Sequence, residues 1–119
     1  MNRFITKLDV ELVSKGRWRL LLPLAYRSDI AGLIVVPTGF VTDFASVPRL
    51  PLAYLLTGDT AHAAAVVHDY LYETGTGTKA VADRVFLEAM EEIGEERWRR
   101  TLMYWAVRLF GRGKFRGAK

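Results

Sequence analysis

The sequence predicts an α+β fold, an N-terminal antiparallel β-meander followed by three α-helices. Near the N-terminus apolar and polar residues alternate with period two, whereas from residue 60 onward apolar residues recur at the helical spacing of three and four. A proline-bounded stretch at 43–60 separates the two blocks. Strands that precede all the helices indicate α+β, because a parallel α/β sheet needs the two to alternate along the chain.

Residues 4–13 set Leu8, Val10 and Leu12 on one side and Lys7, Asp9 and Glu11 on the other, the pattern of a half-buried strand. SKG at 14–16 is a turn and RWRLLLPLAY at 17–26 the returning strand, with Pro23 marking an edge or a bend. LIVVP at 33–37 is a third strand, continuing through residues 38–42 after a turn at Thr38-Gly39. Pro48 and Pro51 place a turn before a short helix around residues 52–56. The first long helix has Thr60 as its N-cap and Gly75 as its stop. The second is capped by Thr78, ends at Gly94 and carries Val81, Val85, Phe86, Ala89, Met90 and Ile93 in one apolar stripe. The third ends at Gly111, so residues 1–111 form one α+β domain and 112–119 a loose basic tail.

Half of the 119 residues are apolar and 12% aromatic, enough for a packed core without staples. The absence of cysteine excludes disulfides and thiolate metal sites. Lys7, Asp9 and Glu11 interrupt any signal-peptide core, and no apolar run approaches the length of a membrane span. The net charge of +4 is unevenly placed: from Arg97 onward there are eight Lys or Arg and no acid, which leaves the preceding residues net acidic. Such a basic segment suits an anionic membrane or an acidic protein face; with no recognised motif, charge alone does not indicate nucleic acid.

The chemistry-bearing residues gather around HDYLY at 68–72. On a helix, Ala61, Ala64, Ala65, His68, Leu71 and Tyr72 share one face, and Asp69 points about a right angle away, in line with His62. Asp83 lies at the margin of the next helix's stripe, where an antiparallel packing would bring it to His68. A neutral His held by a carboxylate is a water-activating general base. A second carboxylate aimed elsewhere can hold a hard cation that polarises an ester carbonyl. The structural alternative is a buried polar seam in which His68, Asp83 and Tyr72 satisfy one another and hold two helices in register.

HDYLY followed by ADRVF at 82–86 resembles the phospholipase A2 fold, in particular the disulfide-free versions of parvovirus capsid proteins, over roughly 30 residues. The resemblance implies His68 as general base, Asp83 as the acid that orients it, Tyr72 as a network tyrosine and Asp69 as a calcium carboxylate. Asp43 would add a second carboxylate to that metal. The glycine-rich calcium loop of those enzymes has no counterpart here; PTGF at 37–40 and LTGDT at 56–60 carry one glycine each. Over most of its length the chain resembles a family of small phage and prophage proteins of unknown function, in TDFASVPR (42–49), HDYLY (68–72) and ADRVFLEAM (82–90). That likeness implies a phage or prophage source, and with it the host cytoplasm or the virion as location.

Two functions are expected from these readings. The first is a phage-encoded hydrolase of phospholipase A2-like chemistry, calcium-dependent and acting on an ester. The second is a non-enzymatic virion component or adaptor that binds a phage or host protein. A metal site of the HD phosphohydrolase type, using His62, His68, Asp69 and Asp83, is a third and weaker fit, since those proteins use wider spacing. In TDFASVPR, Asp43 and Ser46 also suit a turn or helix cap. The last helix carries Trp98, Leu102, Trp105 and Leu109 in a stripe, with Met103, Tyr104, Val107 and Phe110 on its other faces. It is therefore either the central core helix with snorkelling arginines or the face that meets a membrane, a protein or a second copy.

Overall fold

The computed structural model describes residues 2–44, 62–111 and 115–116. Strands precede helices as expected, and the fold is α+β. The strands are β1 (Val10–Ser14), β2 (Arg17–Leu20), β3 (Leu24–Ser28), β4 (Gly32–Val36) and β5 (Val41–Thr42). They form two small antiparallel sheets, β1-β2-β5 and β3-β4. The returning strand expected over 17–26 is thus two strands. It breaks at residues 21–23, where Leu21 and Leu22 turn outward and Pro23 supplies no amide to a ladder. The Leu21 amide adds one last rung to the β1–β2 pairing, donating to the Asp9 carbonyl at 2.8 Å. The alternation read at residues 4–13 holds only in part: Leu8 and Val10 are half-buried, whereas Leu12, paired with Trp18 just before an irregular register between Leu12 and Ser14, is exposed.

Three helices follow: α1 (His62–Thr74), α2 (Lys79–Glu92) and α3 (Arg97–Phe110). Gly75 ends α1 at φ 65°, a conformation that costs a glycine little. The Thr78 side chain accepts from the Val81 amide and caps α2, as its position predicts. The α2 stripe is the core face: Val85, Phe86, Ala89 and Met90 have no exposed surface. On α1, Ala64, Ala65, His68, Leu71 and Tyr72 are all buried, as the shared face requires. The small alanines let neighbouring elements come close, and α1 packs against β3, β4 and β5 on one side and α2 on the other. In turn α2 packs on α3. The chain beyond residue 111 is not wholly a loose tail. Phe115 is buried against the Tyr72 ring at 5.3 Å, and the Arg116 amide donates to the Tyr72 carbonyl at 3.0 Å. The short helix expected at 52–56, the Thr60 cap and Ser46 lie outside the described residues.

Candidate functional site

Burial of a carboxylate demands compensation, and Asp83 shows how the fold supplies it. Asp83 lies on α2 with no exposed surface. Its Oδ1 accepts from His68 Nε2 at 2.8 Å and from the Tyr72 hydroxyl at 2.5 Å, both donors coming from α1. Its Oδ2 accepts from Lys79 Nζ at 2.8 Å, one turn earlier on α2, and faces Arg108 Nη1 of α3 at 3.5 Å. Lys79 also donates to the Val107 and Arg108 carbonyls, at 2.9 and 3.2 Å, so the same ammonium closes the C-terminal end of α3. One carboxylate therefore ties all three helices together.

The protonation states follow from this geometry. A carboxylate oxygen only accepts, so His68 carries its proton on Nε2. Burial holds the His68 imidazole below its ordinary value, against the upward pull of Asp83, and the ring is neutral at pH 7. Burial alone would raise the Asp83 carboxyl, but the hydrogen bonds from His68, Lys79 and Tyr72 outweigh it and hold the group below the usual range. Burial and the hydrogen bond to Asp83 push the Tyr72 phenol well above its ordinary value. The His68 ring also packs on Tyr72 and Phe86, with centroids at 4.2 and 4.6 Å.

His68, Tyr72 and Asp83 are thus brought together as the sequence suggested. His68 has no exposed surface and, among the described residues, does not line the cavity at Leu8–Val10–Trp18 or the one at Leu33–Val35–Tyr70. Asp69 is also buried and turns about a right angle away on α1, where its Oδ2 accepts from the Thr42 hydroxyl at 2.7 Å. The Thr42 oxygen in turn accepts from the Phe44 amide at 3.2 Å and holds Phe44 at φ 60°, a left-handed conformation uncommon for a side chain of that size. The adjacent His68 and Asp69 consequently fasten different parts of the fold, His68 the helices and Asp69 the end of β5. Among the described residues no group of three or more His, Asp or Glu is arranged to hold a metal ion.

Lys79 and Arg108 were missed in reading the sequence. Lys79 carried a local signal, its i,i+4 spacing to Asp83. Arg108 and Thr42 carried none, since their contacts span 25 and 27 residues.

Comparison with known proteins places this arrangement in a family. Residues 18–107 match the family described as "Protein of unknown function (DUF1353)". The chain belongs to that family. The matched range takes in the sheet region from β2, His68 and Asp69 with their partners Asp83 and Thr42, and most of α3, and the family's description assigns no activity. The chain is also similar to uncharacterized protein y4jT of Sinorhizobium fredii (strain NBRC 101917 / NGR234), with 37% identity over 79 residues. That similarity covers 64% of this chain and 23% of the relative, so the chain spans about a quarter of that protein's length. No solved structure matches.

Proposed function

We propose that this member of the family is a non-enzymatic adaptor that grips an acidic amphipathic helix of a partner protein through the outer face of α3, in the phage or prophage setting implied by the sequence likeness. One observation carries the reading. Trp98, Leu102, Trp105 and Leu109 are 55, 43, 54 and 60% exposed, while Met103 and Val107 on the opposite side of the same helix are fully buried. Spacings of four, three and four residues give the d–a–d–a register of a coiled-coil seam, a stripe only about 60° wide at 100° per residue. Exposed tryptophans next to arginines are the side chains that most often dominate protein-binding energy.

The charge around the stripe selects the partner. Arg97 and Arg99 lie about a quarter-turn to either side of it, Arg99 also facing Glu95 at 3.4 Å while Arg108 turns to Asp83, and α3 itself contains no acid. A second copy would therefore meet arginine with arginine, whereas a helix flanked by Glu or Asp would be complementary. A membrane-surface helix presents a broad apolar face to lipid, and here the inner half of α3 is already committed to the core.

The test uses a labelled synthetic helix of three heptads, with Leu at a and d and Glu at e and g. Fluorescence anisotropy should show saturable one-to-one binding that weakens with salt. It should vanish in Trp98→Ser/Trp105→Ser and in a control peptide with Lys at e and g. Equal binding of both peptides, no binding, self-association through α3, or preferential partition onto phosphatidylglycerol vesicles would each overturn the proposal.

A second reading, the phospholipase A2-like esterase, is supported by Asp83, which holds His68 Nε2 and the Tyr72 hydroxyl on one oxygen. In it Asp83 fixes the ring tautomer and steadies the imidazolium as His68 takes a proton from water. Calcium held by Asp69 and Asp43 would supply Lewis-acid polarisation of the ester. It ranks second because water reaches His68 only if the buried ring is uncovered, and because Lys79 and Arg108 share the carboxylate that would have to stabilise imidazolium. Phospholipid hydrolysis in calcium that is present in the wild type and absent in His68→Ala would establish it. Calorimetry should then show calcium binding that Asp69→Asn abolishes. No hydrolysis by the wild type removes it.

A further inference from the structure

The β3–β4 hairpin has an edge on each side, and the chain treats them differently. Residues 3–5 run along β3: the Ile5 amide donates to the Ala25 carbonyl at 2.9 Å, and the Arg27 amide to the Arg3 carbonyl at 2.8 Å. In an antiparallel ladder the N–H and C=O of one residue point to the same side, and successive residues alternate. Ala25 and Arg27 therefore face residues 3–5, while Leu24, Tyr26 and Ser28 face β4, paired with Val36, Ile34 and Gly32. Leu33 and Val35 consequently aim their backbone groups at the outer edge of β4, where they meet no hydrogen-bonding partner among the described residues. A cavity of about 330 Å³ runs along that edge. Leu33, Ile34 and Val35 all line it, which successive strand residues do only from the side, and Tyr70, Leu71 and Val81 face them across it.

Exposed edges are normally blunted by charge, proline, a bulge or shortness. The other sheet follows this rule, since β1 carries Glu11 and an irregular register and β5 is two residues long. By contrast β4, GLIVV, has no charge, no proline and an unbroken register, and its Leu33 and Val35 are 59 and 45% exposed. We infer that β4 is the interface of a homodimer, pairing antiparallel with β4 of a second copy about a two-fold axis at Ile34. The outward backbone groups call for an extended strand, and this strand is its own complement. Leu33 and Val35 flank Ile34 symmetrically, so each Leu33 lies opposite Val35 of the other copy and the pair exchanges both of its backbone hydrogen bonds. The exposed Leu33 and Val35 side chains of the two copies then cover one another on the outer face, and Ile34 meets Ile34 on the inner one. Residues 31–36 hold no charge, so no like charges are brought together, as the arginines of two α3 faces would be. Neither the α3 face nor the Asp83 cluster takes part, so the inference stands whether or not the proposed function does.

Sedimentation equilibrium of the full chain should show a monomer–dimer equilibrium within the range up to millimolar concentration. Val35→Pro removes the outward amide and keeps the ladder to β3, a position where an edge strand tolerates proline. It should weaken dimerisation by about tenfold or more, the loss of both symmetry-related hydrogen bonds, while the circular dichroism stays that of the wild type. Leu33→Lys/Val35→Lys, which sets lysine against lysine across the axis at side chains already exposed, replaces it if that variant does not fold. Trp98→Ser/Trp105→Ser should dimerise as the wild type does. Disulfides can read the register, because the chain has no cysteine of its own. A mixture of Leu33→Cys and Val35→Cys should cross-link on oxidation into the mixed dimer. Either variant alone sets its thiols diagonally across the ladder, too far apart for a disulfide. The inference is overturned if the wild type stays monomeric at millimolar concentration, if the β4 variants dimerise as it does, or if the α3 variant abolishes the dimer. Cross-linking of either cysteine variant alone as well as the mixture overturns it too.

Discussion

The Asp83 cluster and the outer face of α3 both reverse the usual arrangement of apolar groups inside and polar groups outside, and they do so differently. At Asp83 four polar side chains from α1 and α2 are buried, yet each is answered by another, and the partly exposed Arg108 and two backbone carbonyls of α3 close the set. On the outer face of α3 two tryptophans and two leucines are about half exposed, and what the described residues give the tryptophans comes from α3 and its cap alone: Glu96 and Arg99 at Trp98, Tyr104 at Trp105. The first departure is compensated within the chain and therefore bears on stability. The second is not, and points outside the chain. Side-chain chemistry alone would have reversed the assignment, since a His-Asp-Tyr cluster looks functional and a Leu-Trp stripe looks like core.

If this contrast is right, the largest loss of stability should come from Asp83→Ala. It leaves Lys79 and its neighbours without their carboxylate, and breaking a buried ion pair from one side typically costs about 3–5 kcal/mol. Urea unfolding would measure it, and a loss below about 1 kcal/mol would break the comparison. Tyr72→Phe removes one charge-assisted hydrogen bond and should cost about 1.5–3 kcal/mol in the same assay. Gly111→Ala should fall in a similar range, about 1–3 kcal/mol, because the added carbon would sit 2.6 Å from the Val107 carbonyl oxygen and 2.8 Å from the Tyr72 hydroxyl.

Acid should act on the same cluster in two stages. His68 is held below its ordinary 6.5, so the unfolded chain binds its proton first and stability falls as pH drops below about 6.5. Asp83 is held below its ordinary 3.8, so its contribution is complete above that value and is lost as pH falls through the lower folded value. Each stage has a limiting slope of about 1.4 kcal/mol per pH unit. Stability measured against pH should lose its first stage in His68→Asn and keep the second. The smallest effect is expected at the other end of the comparison. Trp105→Ser should change stability by no more than about 0.5 kcal/mol, because the side chain is more than half exposed, while abolishing peptide binding.

What was legible in the sequence depended on how local its cause was. The stripe and cap of α2 could be read because a 3.6-residue period and a Thr side chain bonding three residues on are short-range facts. The pairing of His68 with Asp83 could be anticipated from one face of α1 and one margin of α2. The direction of Asp69 was legible, but not its partner Thr42, which belongs to a strand two residues long. In LLLPL an apolar run concealed a break, because composition does not tell a buried leucine from the exposed Leu21 and Leu22. On α3 apolar residues cover two opposite faces, and no pattern within the helix says which of them the core takes. That choice is made by Lys79, whose ammonium grips the end of α3 and sets its rotation against α2.

The divided labour of His68 and Asp69 has a consequence for how related chains diverge. Neighbours in sequence are usually expected to change together, yet these two answer to separate constraints. A replacement at His68 is expected to be tolerated where Asp83 changes with it, and one at Asp69 where Thr42 does. Across the family, positions 68 and 83 should therefore drift as one pair and 69 and 42 as another, each able to change while the other stands still.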